Sequence, residues 1–300
     1  MANVRDIRRR IKSVRSTAKI TKAMQMVAAS KMRKAQDAAL QSRPFARLVY
    51  RITSQALSHA GSYRHPLMER QPGTACAVVL VTPDKGLCGG LTSNLLREAA
   101  VYDPATTVFI AAGKRAAQFI QRTHRKLAAE FSWQDRPVYP AARAISKFVQ
   151  ELYLKGEVQR VDVLFTNFIS TLSQKPVAWT LLPMARVAGC ETGVHGEMTE
   201  SYLPQLTDVD LKGATEFEFE PSTAEVLEEL LGHNLNFTLY QMLLESRASE
   251  QSARMVAMKN ATENAEDLID DLTLQSNQMR QAAITKELLE ITSAAMAAEG

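Results

Sequence analysis

Residues 3–43 read NVRDIRRRIKSVRSTAKITKAMQMVAASKMRKAQDAALQSR and contain neither glycine nor proline. At the other end of the chain, residues 222–299 contain no proline and a single glycine, Gly232. Because glycine and proline are the residues that most often end helices, each end is predicted to form one very long helix. Helices of this length are rare inside a compact domain. The sequence therefore predicts a long antiparallel coiled coil with a globular domain inserted between its two helices.

The N-terminal segment carries apolar and small residues at spacings of three and four, which is the pattern of a coiled coil. These residues are Val4, Ile7, Ile11, Val14, Ala18, Ala28, Met32, Ala35 and Ala39. The polar residues Thr21 and Gln25 interrupt this seam, while Ile20, Met24 and Val27 form a second apolar face beside it. A second face indicates a second partner, although methionines that fill gaps in the coiled-coil core explain the spacing equally well.

The two terminal helices are predicted to differ in length. Pro44 is expected to kink or restart the first helix, which then continues to about Ser58. The second begins after Pro221 and runs almost to the end of the chain. At a rise of about 1.5 Å per residue, the second helix is the longer one and should continue unpaired from about Asn277. Its small, apolar last turns are expected to be covered by a partner.

The middle of the chain alternates between predicted strands and helices. Strands are expected at 75–81, 107–112, 127–131, 161–169 and 177–182, and helices at 91–100, 114–122 and 141–154. This order predicts a mainly parallel, Rossmann-like sheet with right-handed crossovers. The predicted domains are a shaft helix at 1–58, an α/β domain at 74–220 and a second shaft helix at 222–300. Residues 184–215 are predicted to be a loop-rich insertion.

The two ends of the chain carry opposite net charges. Residues 1–51 hold 14 Lys or Arg against two acids, a net of +12, whereas residues 222–300 hold five against 13, a net of −8. Opposite charges modestly favour pairing of the two helices. A basic helix could instead bind nucleic acid, but its apolar seam commits it to a protein partner. No apolar run is long enough to span a membrane, and no secretory signal is recognisable.

The loop after the first strand, Thr82-Pro83-Asp84-Lys85-Gly86-Leu87-Cys88-Gly89-Gly90, contains three glycines within its last five residues. A glycine-rich loop between a strand and a helix can bind phosphate, but GLCGG matches neither GxGxxG nor GxxxxGK[ST]. Tight-turn packing, or contact with another subunit, explains this loop better. Cys88 has no histidine in the motif to act as its base. The histidines and cysteines show no metal spacing, so no catalytic residue, metal or cofactor is expected.

Four stretches resemble one known family. They are KITKAMQMVAASKMRKA at 19–35, DKGLCGG at 84–90, ASEQSARMVAMK at 248–259 and RQAAITKELLEI at 280–291. In this order they are similar to the signatures of the F-type ATP synthase gamma subunit. The similarity covers both ends and the first strand, loop and helix. Four ordered motifs are far more specific than one glycine-rich loop.

The resemblance implies a rotor without a catalytic site. In this family the paired terminal helices form a shaft inside a hexamer of alpha and beta subunits, and ATP chemistry occurs on the beta subunits. The α/β domain contacts the epsilon subunit and the membrane-embedded c-ring. The chain is thus expected at the cytoplasmic face of a bacterial inner membrane, as a peripheral subunit that contacts the membrane only through the complex.

The resemblance also assigns interface residues. Contacts with the alpha/beta hexamer are expected from Lys22, Met24, Arg254, Arg280, Gln281, Thr285 and Glu290. Contacts on the epsilon and c-ring side are expected from Phe219 and Glu220. The residues by themselves leave two other functions open. One is a nucleotide-binding α/β enzyme with coiled-coil dimerisation arms, and the other is a basic coiled-coil nucleic-acid binder.

Overall fold

The computed structural model describes residues 4–59, 64–132, 138–184, 219–220 and 222–299. The elements follow in the order α1 (Val4–His59), β1 (Cys76–Val81), α2 (Leu91–Ala100), β2 (Thr107–Ala112), α3 (Lys114–Arg122), β3 (Lys126–Phe131), α4 (Tyr139–Leu154), β4 (Arg160–Phe168), β5 (Gln174–Leu182) and α5 (Thr223–Glu299). The predicted insertion at 184–215 lies, apart from Met184, outside the described residues. The chain divides into two compact units. The helical unit comprises Met1–Ala28 and Met255–Gly300, and the α/β unit comprises Ala29–Arg254.

Both terminal segments are single long helices, as predicted, with 56 residues in α1 and 77 in α5. The prediction of a restart at Pro44 is wrong, because α1 continues through this residue without interruption. A proline removes only one backbone hydrogen bond, to the residue four positions earlier, and Pro44 is exposed. Side chains on both sides of Pro44, including Ala39 and Thr53, are buried, so packing maintains the helix across it.

In the helical unit, α1 and α5 bury one seam each. On α1 the buried side chains include Ile7, Ala18, Thr21 and Ala28, and on α5 they include Met258, Thr262, Ala265, Leu272 and Ser276. Thr21 therefore belongs to the seam that it was expected to interrupt. Its hydroxyl lies 2.7 Å from the hydroxyl of Thr262, so the two polar groups satisfy each other inside the interface.

In the α/β unit the same two helices pair in opposite directions. The Ser42 hydroxyl donates a hydrogen bond to the side-chain carbonyl of Gln241. The rings of Phe45 and Phe237 pack with their centroids 4.7 Å apart. Between these two contacts the residue number rises from 42 to 45 on α1 and falls from 241 to 237 on α5. This confirms that the two helices are antiparallel.

The five strands form one sheet in the order β3-β2-β1-β4-β5. The pairs β1–β2, β1–β4 and β2–β3 are parallel, and only β4–β5 is antiparallel. The mainly parallel prediction is confirmed. All six residues of β1 are buried, because helices cover both faces of the sheet. Helices α4 and α5 pack on one face, and α2 and α3 pack on the other.

Candidate functional site

The loop after β1 has a tightly folded backbone, as its glycines predict. Leu87 and Gly89 both adopt left-handed conformations, with φ of 64° and 60°. A Cβ atom on Gly86 would lie 3.1 Å from Nη2 of Arg115, closer than side chains normally approach. Leu87 has a side chain and yet holds a conformation that disfavours one, so the surrounding loop constrains it. In this conformation the loop presents the Leu87 side chain to solvent.

Cys88 is buried within the same loop. Its sulfur lies 3.4 Å from the hydroxyl of Thr92, on the first turn of α2. Gly90 is the N-cap residue of that helix, and Lys85 is exposed. Cys88 thus packs between the loop and α2, a contact that suits a structural thiol.

The two polar residues at the start of the loop cap the neighbouring helix α3. The backbone N–H of Lys114 donates to Oδ1 of Asp84 at 2.8 Å, and the N–H of Ala116 donates to Oγ1 of Thr82 at 2.8 Å. Unpaired N–H groups at a helix start are what a phosphate would bind. Here protein oxygens accept from two of them, so these contacts fix the start of the loop against α3. The glycine-rich loop itself leads into α2, so the capping of α3 does not bear on phosphate binding there.

Gly113, which precedes α3, permits this close packing and was not singled out in the sequence. Its φ is +115°, and a Cβ at this position would lie 2.1 Å from the carbonyl oxygen of Thr82. Only glycine fits such an approach between two backbones. The signal in the sequence was a glycine directly between an apolar strand and the next helix.

Arg254 on α5 connects the loop to the long helix. Its Nη2 donates to the carbonyl oxygens of Lys85 at 3.3 Å and Gly86 at 3.2 Å. Its Nη1 lies 2.7 Å from Oε1 of Glu250, whose Oε2 lies 2.7 Å from Nη1 of Arg247. All three charged side chains are at most 11% exposed. Two of the motifs that carry the family resemblance therefore meet here through one buried ionic network.

The part of α5 that carries this network is buried on nearly every side. We call residues 241–254 the anchor segment; twelve of its fourteen residues are buried. The Ser249 hydroxyl donates to the carbonyl of Thr166 on β4 at 3.1 Å, and the Ser252 hydroxyl donates to the carbonyl of Thr171 at 2.7 Å. A helix buried all round is normally apolar. The anchor segment instead makes directional hydrogen bonds with its neighbours.

The residues of α1 that were predicted to face the hexamer, Lys22 and Met24, belong to the helical unit. Lys22 is exposed and Met24 is half-buried. The second apolar face predicted beside the seam is accessible, since Ile20 and Val27 are both more than half exposed. The structure thus leaves a mixed basic and apolar surface on α1.

The end of α5 carries the remaining predicted hexamer contacts. Among the side chains of α5 that the structure describes, Ser276 is the last buried one, and from residue 277 to residue 293 all but Met279 are exposed. The start of the unpaired segment agrees with the expected position near Asn277. The exposed side chains include the predicted Arg280, Gln281, Thr285 and Glu290 and the apolar Ile284, Leu288, Leu289 and Ile291.

The two residues predicted on the epsilon and c-ring side lie just before α5. Phe219 is half-buried and Glu220 is exposed. Most of the chain immediately before them lies outside the described residues. Their partner contacts stay a prediction.

A cavity of about 410 Å³ in the α/β unit was not predicted. It lies at the amino ends of the parallel strands around Asp162, whereas ligands in such sheets bind at the carboxyl ends. Asp162 is buried and accepts hydrogen bonds from the Tyr102 hydroxyl at 3.1 Å and the Thr180 hydroxyl at 3.0 Å. Its Oδ2 also pairs with Nη2 of Arg160 at 3.0 Å. The signal in the sequence was a lone aspartate inside the apolar stretch RVDVLF.

This carboxylate alters the chemistry of its neighbours. Burial, and then the charge of Asp162, raises the pKa of the Cys76 thiol to about 11. The same two causes raise the pKa of the Tyr102 hydroxyl. Both groups therefore stay protonated at neutral pH, and Cys76 is poorly suited to act as a nucleophile. The network reads as a structural one in which Asp162 pairs with Arg160, Tyr102 and Thr180, although Nε of Arg160 is buried without a hydrogen-bond partner.

Within the described residues, no three histidine, cysteine or acidic side chains are grouped so as to hold a metal ion. None of the helices described in the structure combines the length and apolar character of a membrane span.

The fold places this chain in the class of proteins in which two long antiparallel terminal helices flank an inserted α/β domain with a mostly parallel sheet. A family model described as ATP synthase matches residues 3–298. The chain is 40% identical over 300 residues to an ATP synthase gamma chain of Methylacidiphilum infernorum, covering 98% of each chain. It is 41% identical over 305 residues to one of Dehalococcoides mccartyi, covering 99% of each.

Solved structures of ATP synthases also contain chains that are similar to this one. A chain from the central stalk and c-ring structure of the Tetrahymena thermophila mitochondrial ATP synthase matches with a TM-score of 0.61 and 25% identity, covering 81% of this chain and 99% of that one. A chain of the Euglena gracilis mitochondrial ATP synthase shares the fold, with a TM-score of 0.66 at 19% identity, covering 98% and 94%. The chain belongs to the ATP synthase gamma chain family. As such it is the central-stalk rotor subunit of an F-type ATP synthase and is not itself catalytic.

Proposed function

We propose that this chain transmits rotation between a membrane-embedded c-ring and a hexamer of alpha and beta subunits in a proton-translocating ATP synthase. The observation that carries the proposal is the unpaired end of α5. Its four large apolar side chains at 284, 288, 289 and 291 are between 50% and 65% exposed. An exposed apolar helix end is unfavourable in water, so it fits the apolar sleeve that a surrounding hexamer would provide.

Contacts with the hexamer are proposed at two places. At the end of α5 they involve Arg280, Gln281, Thr285 and Glu290, all exposed. Elsewhere they involve Lys22, Met24 and Arg254. Arg254 is mostly buried in this chain, but it binds the backbone of a loop whose Lys85 and Leu87 side chains are exposed. We propose that this loop meets the hexamer together with Arg254.

A rotor must present different surfaces to three equivalent partners, since a ligand shifts conformational states only through differential contacts. The charge of the two helices supplies such a difference. The first 51 residues carry a net of +12, and residues 222–300 carry a net of −8. A beta subunit that faces α1 would therefore meet a potential of the opposite sign from one that faces α5.

We propose that the central region, residues 74–220, makes the remaining contacts of this chain with the complex. Phe219 and Glu220 would face the epsilon subunit or the c-ring, and 1–58 and 222–300 would form the shaft. The curated relatives named above are bacterial, which supports a position at the cytoplasmic face of the inner membrane, as a peripheral subunit. No cofactor and no nucleic acid take part in this function.

Affinity purification tests the proposal. A tagged copy expressed in its native host should bring down alpha, beta, epsilon and c subunits, and the purified complex should hydrolyse ATP. The tagged chain alone should hydrolyse none. Recovery of the chain without alpha and beta, or ATP turnover by the chain alone, would contradict the proposal.

A further inference from the structure

We propose that the polar contacts of the anchor segment hold α5 at one rotation about its own axis relative to the sheet. Torque on the α/β unit would then pass into the long helix at residues 241–254. The inference rests on the proposed rotor function and assigns positioning roles to Ser249 and Ser252. Neither residue touches a reacting group, and both are buried within the chain.

Hydrogen bonds resist helix rotation in a way that apolar packing does not. Apolar contacts within the anchor segment, such as those of Met242 and Leu243, stabilise the unit but are non-directional. A side-chain oxygen about 4 Å from the helix axis moves about 1.4 Å when the helix turns by about 20°. Such a shift stretches a hydrogen bond of ordinary length beyond its useful range. The bonds of Ser249 and Ser252 are therefore sensitive to rotation.

The contacts also restrain the helix from more than one side. Ser249 and Arg254 are five residues apart, which places them about 140° apart around an ideal helix. Ser249 bonds to β4, whereas Arg254 bonds to the loop after β1. Because the two partners lie on different sides of α5, a turn in either direction lengthens at least one bond.

A third restraint ties the segment to α1. The side-chain N–H of Gln241 donates to the carbonyl of Ala39 at 3.4 Å, and its carbonyl accepts from Ser42. The anchor segment is thus bonded to α1, to β4, to the turn at Thr171 and to the loop after β1. All these contacts lie within the α/β unit, so they define a fixed attachment of one helix to its own sheet.

The test measures torsional stiffness of the assembled ATP synthase. The complex is immobilised through its hexamer, a bead is attached to the c-ring, and the variance of the bead angle is recorded without nucleotide. The variant is Ser249→Ala with Ser252→Ala. The matched control is Ser246→Ala, the same change at a buried serine of the same segment. Ser246 is buried, and within the part of the chain that the structure describes no hydrogen bond joins its side chain to another element.

We expect the angular variance of the double variant to be about twice that of the unmodified complex, and that of Ser246→Ala to be unchanged. Equal variance in all three complexes would overturn the inference, and so would an equal rise in both variants. If the double variant does not assemble, Ser252→Ala alone is measured, with an intermediate rise expected and no rise counting against the inference.

Failure of this inference is distinct from failure of the proposed function. If the chain were not a rotor, the unmodified complex would not form, or the bead on the c-ring would not rotate when ATP is added. If only the anchor inference were wrong, the unmodified complex would rotate and the variants would match it in stiffness.

Discussion

The hydroxyl oxygens of Thr21 and Thr262 lie 2.7 Å apart in the seam between α1 and α5, although 241 residues separate them in the chain. Each hydroxyl also faces a carbonyl of its own helix, that of Ala18 for Thr21 and that of Met258 for Thr262. The pair is a polar point in a mostly apolar interface. In coiled coils such points specify register at some expense of stability.

Changing this pair should reveal a coupling between the two threonines. Thr21→Val alone and Thr262→Val alone are each expected to lower the free energy of unfolding by about 1 kcal/mol, because the remaining hydroxyl loses a partner. The double change should be close to neutral, since both polar groups are then gone. Urea unfolding of the isolated chain, followed by helical circular dichroism, measures the cycle. Additive losses in the double variant would show that the two hydroxyls do not interact.

Glu250 should be required for stability of the α/β unit. Glu250→Gln removes the negative charge that pairs with both Arg247 and Arg254 in a buried position, and we expect a loss of about 3 kcal/mol in the free energy of unfolding. Glu263→Gln is the control, because Glu263 pairs with Lys259 at 3.7 Å on an exposed surface. That change should cost less than about 0.5 kcal/mol. Similar losses in both variants, measured by urea unfolding, would contradict the role of burial.

Gly113 and Gly156 offer a matched test of backbone packing. Both have positive φ, but a Cβ would clash with Thr82 at Gly113, whereas it meets nothing within 4 Å at Gly156. Gly156→Ala should cost about 1 kcal/mol from conformational strain alone. Gly113→Ala should cost at least about 3 kcal/mol or prevent folding, because two backbones must separate. Thermal unfolding of the two purified variants measures the difference, and equal melting temperatures would rule out the clash.

The Cys76 thiol should react slowly and in a pH-dependent way. With Cys88→Ser and Cys190→Ser, Cys76 is the remaining cysteine of the three. Its pKa of about 11 leaves about one thiol in a thousand ionised at pH 8, against about one in ten at the ordinary value of 9.0. Iodoacetamide should therefore react about 100-fold more slowly with the folded chain than with the urea-unfolded chain.

The same shift has a consequence for stability at high pH. Because the pKa of Cys76 is higher in the folded chain, its contribution to stability is fully present below pH 9.0 and is lost as the pH rises towards about 11. Cys76→Ser should reduce this loss. A folded thiol that reacted as fast as the unfolded one would disprove the shift.

Removing the unpaired end of α5 should separate binding from folding. A chain that ends at residue 276 retains every buried side chain found on α5 in the described residues. We expect the cooperative melt of its α/β unit to be unchanged, within about 0.5 kcal/mol, while its affinity for an alpha/beta hexamer falls. Calorimetry and a pull-down with purified hexamer measure the two effects. Loss of the cooperative melt would show that the end of α5 is needed for folding.

The strongest predictions from the sequence concerned features with local causes. The absence of glycine and proline predicted the two long helices, and apolar runs predicted all five strands. The heptad spacing also identified the seam. Its assignment of Thr21 as an interruption missed that a polar residue can stay in a seam when it finds a partner, here Thr262. The restart expected at Pro44 was wrong for a related reason, since packing on both sides of Pro44 outweighs one lost backbone bond.

Features missed in the sequence depend on residues far apart in the chain. Asp162 meets Tyr102 across 60 residues, and Arg254 meets Gly86 across 168. Nothing in the local pattern around either residue indicates its partner. Gly113 likewise matters because the carbonyl of Thr82, on the neighbouring strand connection, comes within reach of a Cβ atom.

By itself, the sequence determined that this protein has two long helices, a mostly parallel sheet and four motifs of one family, because periodicity, helix breakers and motif order are properties of neighbouring residues. The tertiary structure alone decided which polar groups pair and where the anchor segment bonds to the sheet. Those features depend on distances between atoms of different elements, and such distances exist only after the elements have packed together.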